Sequence, residues 1–289
     1  MASEIGLIAK EQVARTRVVD FNYQFTGNLN KLMEILGTTR KIPVQDGTTL
    51  KALKVSGTLG NGTVAEGEII PLSQYKTEEV PMGEAKLAKW RKSTSAESIL
   101  KGGYDQAVGA TTDKMVKDIQ SGIRKTFIEY IKTATKSAEG VGFQEAIAHT
   151  WGVLQTLWED DAVETVYFVN PLDVAGYLAK ANITIQTAFG LNYVENFMGL
   201  GTVILTSSVE EKNIYATAKD NIVLYYVNVG AGDISSSFDL TTDETGYIGI
   251  SEYADKDRAC VNDLVMSGIT FFAERLDGIV KTTINDNGA

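Results

Sequence analysis

The chain has 289 residues, 44% hydrophobic and 22% charged, the make-up of a folded protein with a substantial core and not of a disordered one. Its formal net charge of -10 argues against nucleic-acid binding as the main business of the surface. A lone cysteine, Cys260, excludes a disulfide framework and a thiolate zinc site, and its apolar surroundings read as those of an inert buried thiol. No apolar run reaches membrane-spanning length, and the short cluster at residues 5–9 is no signal sequence.

The first forty residues read as an arm. Alternation at Phe21, Tyr23 and Phe25 predicts an extended stretch, followed by a short helix over 28–36 with Leu29, Leu32, Met33 and Leu36 on one side and Gly37 as its stop. Residues 49–56 alternate, Gly57, Gly60 and Gly62 mark a turn around Asn61-Gly62, and 63–70 predicts the returning strand of a hairpin. Few large apolar residues lie between Val55 and Val64, so this hairpin has no core of its own and is expected to project and pack elsewhere. Pro71 and Pro81 punctuate the next segment. A strand over 85–92 carries the basic strip Lys86, Lys89, Arg91 and Lys92, read as a solvated edge, and a helical turn over 95–100 leads to Gly102-Gly103.

The stretch 104–136 organises the chain. Tyr104, Ala107, Val108, Met115, Ile119, Ile123, Phe127, Ile131 and Ala134 recur at helical spacing, with charges on the other faces and no proline. Such a helix would run roughly 45 Å, a strut across a whole domain. Residues 139–142 then read as a hinge-like break. A second helix is predicted over 143–159, a strand over 162–169 closed by Asn170-Pro171, and a short helix over 172–180. Strands over 201–206 and 221–229, separated by the segment 213–218, suggest an α/β lobe, and strands over 264–273 and 278–284 close the chain.

Chemistry is scarce. His149 is the only histidine and nothing in its spacing supplies a nucleophile or an orienting carboxylate, so it reads as a structural or surface residue. No phosphate-binding loop, dinucleotide fingerprint, metalloprotease motif or nucleophile elbow occurs. The acidic clusters Glu78-Glu79, Glu159-Asp160-Asp161, Glu210-Glu211 and Asp243-Glu244 lack the alternating spacing of a calcium loop. No catalytic, cofactor-binding or metal-binding residue is assigned, and the chain reads as a non-enzyme.

The order of parts resembles the major capsid protein of tailed bacteriophages, the Hong Kong 97-type fold. Asn28 to Gly37 followed by Arg40-Lys-Ile-Pro43 resembles the arm leading into that family's extended loop, and Val64 to Pro71 the loop's returning strand. Trp90 to Glu97 resembles the approach to the peripheral domain and Gly103 through Ile131 its spine helix. Val166 to Asp173 resembles a strand-to-helix step of the axial domain, and Glu274 to Lys281 the closing peripheral strand.

The resemblance implies an α+β fold with an N-terminal arm (1–40), an extended β-hairpin loop with flanking strands (41–92), a peripheral domain with the spine helix (93–140), an axial α/β domain (141–258) and return strands of the peripheral domain (259–289). It implies self-assembly into hexamers and pentamers of an icosahedral shell enclosing double-stranded DNA, in a virion assembled in the host cytoplasm, with scaffolding and portal proteins as partners, no membrane and no cofactor. Assembly would bury Phe21, Tyr23 and Phe25 of the arm and Asn61, Gly62, Ile69 and Ile70 of the loop between subunits. Some relatives carry a long cleaved scaffolding segment; here the arm begins almost at Met1, so a separate scaffolding protein is expected. Others weld subunits through a loop lysine, but no lysine lies between Val55 and Tyr75, so no weld is expected at this tip. An encapsulin-like compartment enclosing a cargo enzyme is the alternative use of the same fold.

Overall fold

The computed structural model describes residues 10–158, 163–179, 184–242 and 244–285. It opens with α1 (Lys10–Leu36), β1 (Lys41–Val44), the hairpin strands β2 (Thr48–Thr58) and β3 (Gln74–Ala85), β4 (Ala88–Ser95) and α2 (Ala96–Gly102). A π-helical turn, Asp105–Gly109, leads into α3 (Ala110–Ile131), then β5 (Lys136–Val141) and α4 (Gly142–Leu157). Next come β6 (Thr165–Val169), α5 (Pro171–Leu178), β7 (Gln186–Ala188), β8 (Leu191–Val194), β9 (Gly201–Leu205), β10 (Asn213–Ala218) and β11 (Ile222–Val227). The chain closes with α6 (Asp233–Ser237), β12 (Thr241–Thr242), β13 (Ile248–Asp255), β14 (Cys260–Ala273) and β15 (Ile279–Asn285).

Two mixed sheets carry the structure. One runs β5-β15-β10-β6-β9-β8-β7, parallel at β15/β5 and β6/β9 and antiparallel elsewhere. Every residue of β6 is buried, as befits a strand covered on both faces. Ala146, Ile147 and Leu154 of α4 and Val174 of α5 cover one face, against Tyr167, Val169, Val203, Ile214 and Ala216. On the other face, Val166, Phe168, Ile204 and Tyr215 join the stripes of α1 and α3 and the apolar side of the second sheet. That second sheet is ordered β1-β11-β14-β13-β12, with β4 also paired to β14. The first half of β14 pairs with both β13 and β4, and its second half with β11.

The chain crosses between sheets three times, through α2 and α3 from β4 to β5 and by short links from β10 to β11 and from β14 to β15, and Asn221 clamps the two short crossings. Its side-chain oxygen accepts from the Arg275 amide at 2.7 Å and its backbone carbonyl from Glu274 at 2.8 Å. Its amide nitrogen donates to Thr217 Oγ1 at 2.9 Å and to the Arg275 carbonyl at 3.1 Å. With all these groups paired, the buried amide costs little to bury.

Several expectations change. The arm is not extended: residues 10–36 form one helix, and Phe21 and Phe25 fall on a single stripe with Val18, Leu29, Leu32 and Leu36. A helix advances about 100° per residue, so i and i+4 coincide while i+2 faces away. Phe21 and Phe25 are therefore buried in the chain's own core, and Tyr23 points out at 78% exposure. The hinge expected at 139–142 is the end of β5 and the start of α4; β5 is fixed in parallel register to β15. The returning strand of the hairpin is β3, not 63–70: Pro71 brings no backbone donor, and a turn at Ala65–Glu68 with Gly67 at φ 87° intervenes. The strut is shorter at both ends, with Ile119, Phe127 and Ile131 buried as the spacing predicts. Beyond Ile131 the chain tightens through a Thr133 N–H bond to the Tyr130 carbonyl at 3.0 Å and leaves the helix.

Candidate assembly surfaces

The hairpin β2–β3 is a two-stranded ribbon outside both sheets. Only its base is anchored, where Leu50 and Ala85 pack on Phe272. Phe272 is held edge-to-face against Tyr130 of α3 at 4.8 Å between ring centroids. Tyr130 donates to the Ala273 carbonyl at 3.0 Å, and burial pushes its hydroxyl pKa up to about 12. A register shift between Leu50 and Lys51 marks where the ribbon leaves this anchor. Past Ala52 the described side chains of the ribbon are mostly exposed; the surface ion pair Lys51–Glu79 bridges its two strands and Lys76–Glu78 runs along β3, each at 2.5 Å.

At the tip the apolar residues have nothing of their own chain to cover. Leu59, Ile69, Ile70 and Leu72 are between 69% and 93% exposed. Asn61 and Gly62 are exposed beside them. Glu66 and Glu68 give the tip negative charge, with no lysine or arginine between Val55 and Tyr75 to offset it. Apolar groups clustered this way mark a contact surface, whereas single exposed ones need no explanation. Of the predicted contact residues, the structure thus gathers Asn61, Gly62, Ile69 and Ile70 at one tip. It leaves Tyr23 on the outer face of α1, one turn from the half-exposed Val19, and withdraws Phe21 and Phe25 into the core.

A second exposed feature is the turn between β8 and β9, in the seven-stranded sheet. Asn196 and Met198 both take positive φ, 48° and 54°, and Met198 is half exposed. Such conformations cost on the order of 1–3 kcal/mol each.

The six-stranded sheet carries a buried ion cluster that sequence reasoning missed. Asp263 of β14 is fully buried and receives Lys92 of β4 at 2.8 Å, with Arg17 of α1 at 3.6 Å. Arg17 also pairs with Glu252 of β13, to which the Tyr104 hydroxyl donates. Lys92 reaches on to the Val108 carbonyl at 2.9 Å and to Thr111 and Thr112 at 2.8 and 2.7 Å, so it holds the π turn that opens the spine. Burial lowers the Lys92 pKa, partly opposed by its hydrogen bond to Asp263. Lys92 is therefore not part of a solvated strip, whereas Lys86, Lys89 and Arg91 are exposed as expected. The sequence signal was a single carboxylate inside the apolar run of β14.

The remaining candidates carry no site. His149 is half exposed; its Nδ1 lies 2.6 Å from the Glu139 carbonyl and its Nε2 3.9 Å from Glu145. Glu210 pairs with Lys132 at 2.7 Å. Cys260 is half-buried and bonds the Arg258 carbonyl. The cluster at 159–161 and Asp243 lie outside the described residues, as does the apolar cluster at 5–9. Among the described residues no group of three metal-ligating side chains converges, and no helix is long and apolar enough to cross a membrane.

No family model and no curated protein matches the chain. Solved structures do. The virus-like particle of Pyrococcus furiosus covers 92% of this chain and 98% of its own, at TM-score 0.51 and 14% identity. The capsid of an empty GTA particle covers 85% and 87%, at TM-score 0.55 and 10% identity. The capsid of the cyanophage P-SCSP1u covers 88% of each chain, at TM-score 0.55 and 6% identity. The chain has the Hong Kong 97-type capsid fold. The spine helix expected from the sequence falls on α3, and the expected extended loop on β2–β3. Identities this low place the likeness in the backbone; the side chains that build each contact are this chain's own.

Proposed function

We propose that the chain is a structural, non-enzymatic shell protein that self-assembles into hexamers and pentamers of an icosahedral phage head around double-stranded DNA. The observation that carries this reading is the hairpin tip: a ribbon on a capsid fold that presents Leu59, Ile69, Ile70 and Leu72 to solvent. Left bare, such a patch is a liability; covered by a neighbouring copy, it contributes assembly energy at about 25 cal/mol per Å² of apolar area buried. On this reading the exposed turn at Asn196–Gly199, within the segment 141–258, supplies a second contact near the capsomer axis. Net charge of -10 suits a container wall that must not trap its nucleic acid. Scaffolding and portal proteins are the further partners of this reading, and the division into arm, loop, peripheral and axial domains is part of it.

Electron microscopy of the expressed protein, with and without a co-expressed scaffolding candidate, tests the proposal. Shells, tubes or capsomers are expected, and I69D/I70D is expected to stay folded by circular dichroism while losing them. A discrete monomer at high concentration under both conditions overturns the reading. Shells purified with a protein cargo in place of nucleic acid would assign the fold to a compartment and not to a phage head.

A further inference from the structure

We propose that Asn61 is a site of spontaneous modification, cyclising onto Gly62 and converting to aspartate and isoaspartate at the hairpin tip. The chain has two Asn-Gly pairs, 61–62 and 287–288, and only the first lies within the described residues. Three features of its setting favour the reaction. Gly62 has no Cβ, and no atom lies within 4 Å of where one would sit, so its nitrogen can approach a neighbouring carbonyl freely. Among the described residues no hydrogen bond holds the Gly62 amide. The Thr63 N–H donates to Asn61 Oδ1 at 3.0 Å, which turns the side chain toward the downstream backbone and polarises its carbonyl. A donor already aimed at that oxygen stabilises the negative charge it acquires on attack.

The chemistry balances with water alone. The Gly62 amide loses its proton to water or hydroxide, and its nitrogen bonds to Cγ of Asn61. The Cγ–Nδ2 bond breaks and ammonia leaves, giving a cyclic imide. Water then opens the imide at either carbonyl. One opening yields aspartate; the other yields isoaspartate and adds a methylene to the main chain. Each product places a new carboxylate on a tip that already holds Glu66 and Glu68 without any basic residue. Other exposed asparagines lack this setting: Asn30 sits in α1 ahead of Lys31, and Asn192 in β8 ahead of Tyr193.

Resting on the shell reading, the inference gains a consequence: a tip clamped against a neighbouring copy cannot cyclise freely. The converted fraction would then record how long a subunit stayed unassembled.

The test incubates the purified, unassembled protein in mildly alkaline buffer and follows Asn61, Asn30 and Asn192 by peptide mass spectrometry with isoaspartate detection. Asn61 is expected to convert several-fold faster than the other two, to both products. Gly62→Ala is expected to slow it several-fold with an unchanged circular dichroism spectrum, because that position has open space and ordinary φ. Conversion of Asn61 no faster than Asn30 overturns the proposal. A second arm compares assembled particles: slower conversion there supports the protective contact. Equal, rapid conversion in both removes that contact and leaves the modification site standing, so the two failures are distinguishable.

Discussion

Asp263 of β14 ties three other elements together. It binds α1 through Arg17, β4 through Lys92 and the start of the spine through Thr112, whose hydroxyl is 3.0 Å away. Removing the carboxylate leaves the largely buried Lys92 without its counter-charge, while Arg17 keeps Glu252, which costs about 3–5 kcal/mol. Asp263→Ala should lower the unfolding free energy by that amount, read from the denaturant midpoint, and an unchanged midpoint would mean that Lys92 finds water instead. The exposed pair Glu210–Lys132 behaves differently. The Lys132 hydrogen bond lowers the Glu210 pKa, so the carboxylate is favoured by folding. Its stabilisation is present above the unfolded carboxylate pKa, about 4.3, and is lost as pH falls through the lower folded value. Both side chains have solvent access, so the effect is small, about 0.2–1 kcal/mol. Glu210→Gln should therefore unfold more readily than the parent at pH 7, and the two thermal unfolding curves should converge under acid.

Elements were legible where one pattern ran long enough to be unambiguous. The spine's stripe is spread over six turns and survives as Ile119, Phe127 and Ile131 inside the core. Three residues at period two, Phe21, Tyr23 and Phe25, were too few: Phe21 and Phe25 fit a helical stripe once Val18 and Leu29 are counted with them, and Tyr23 falls off it. β5 was hidden because Lys136–Val141 is an exposed edge with an irregular pattern, held by its pairing to β15 and not by its own side chains. The exposed apolar tip proposed as a contact surface was half legible. The hairpin's lack of a core is written in its composition, but which arm residues turn inward depends on a tertiary surface far downstream in the chain, among them Phe189 and Ile248. Phe127 packs edge-on to Phe168 and tilted on Phe271, with centroids 5.5 and 5.6 Å apart. Phe127→Ala should cost about 3–5 kcal/mol, and Phe127→Asp should prevent folding altogether. Asn61→Asp at the exposed tip should leave thermal stability unchanged and alter assembly at most. Identical behaviour of Phe127→Asp and Asn61→Asp would erase the distinction between core and assembly elements.

For the whole molecule, the fold separates what a subunit needs to be stable from what it offers its neighbours. Two sheets share one core through α1 and α3, while the ribbon reaches out from a three-residue anchor of Leu50, Ala85 and Phe272. A contact made by such a ribbon is reversible unless a covalent bond follows, and the tip has no lysine to make one. Denaturing gels of mature particles should accordingly show a single band at monomer mass; a ladder would mean that a lysine outside the tip is used. On the proposed shell reading, the net charge of -10 predicts that enclosed nucleic acid is released by shell opening without added salt competition.

The stripe of α1 also sets a schedule for synthesis. Phe25 is closed by Phe189, Asn22 bonds the Thr241 carbonyl at 2.5 Å, and Arg17 waits for Glu252. All of these partners leave the ribosome long after the helix does, at about 5–20 residues per second. A nascent chain therefore carries an amphipathic helix with a bare apolar face for most of its translation, the kind of segment that chaperones bind. Nascent chains stalled before residue 185 should capture such a chaperone through Phe21 and Phe25, and full-length chains released from the ribosome should let it go.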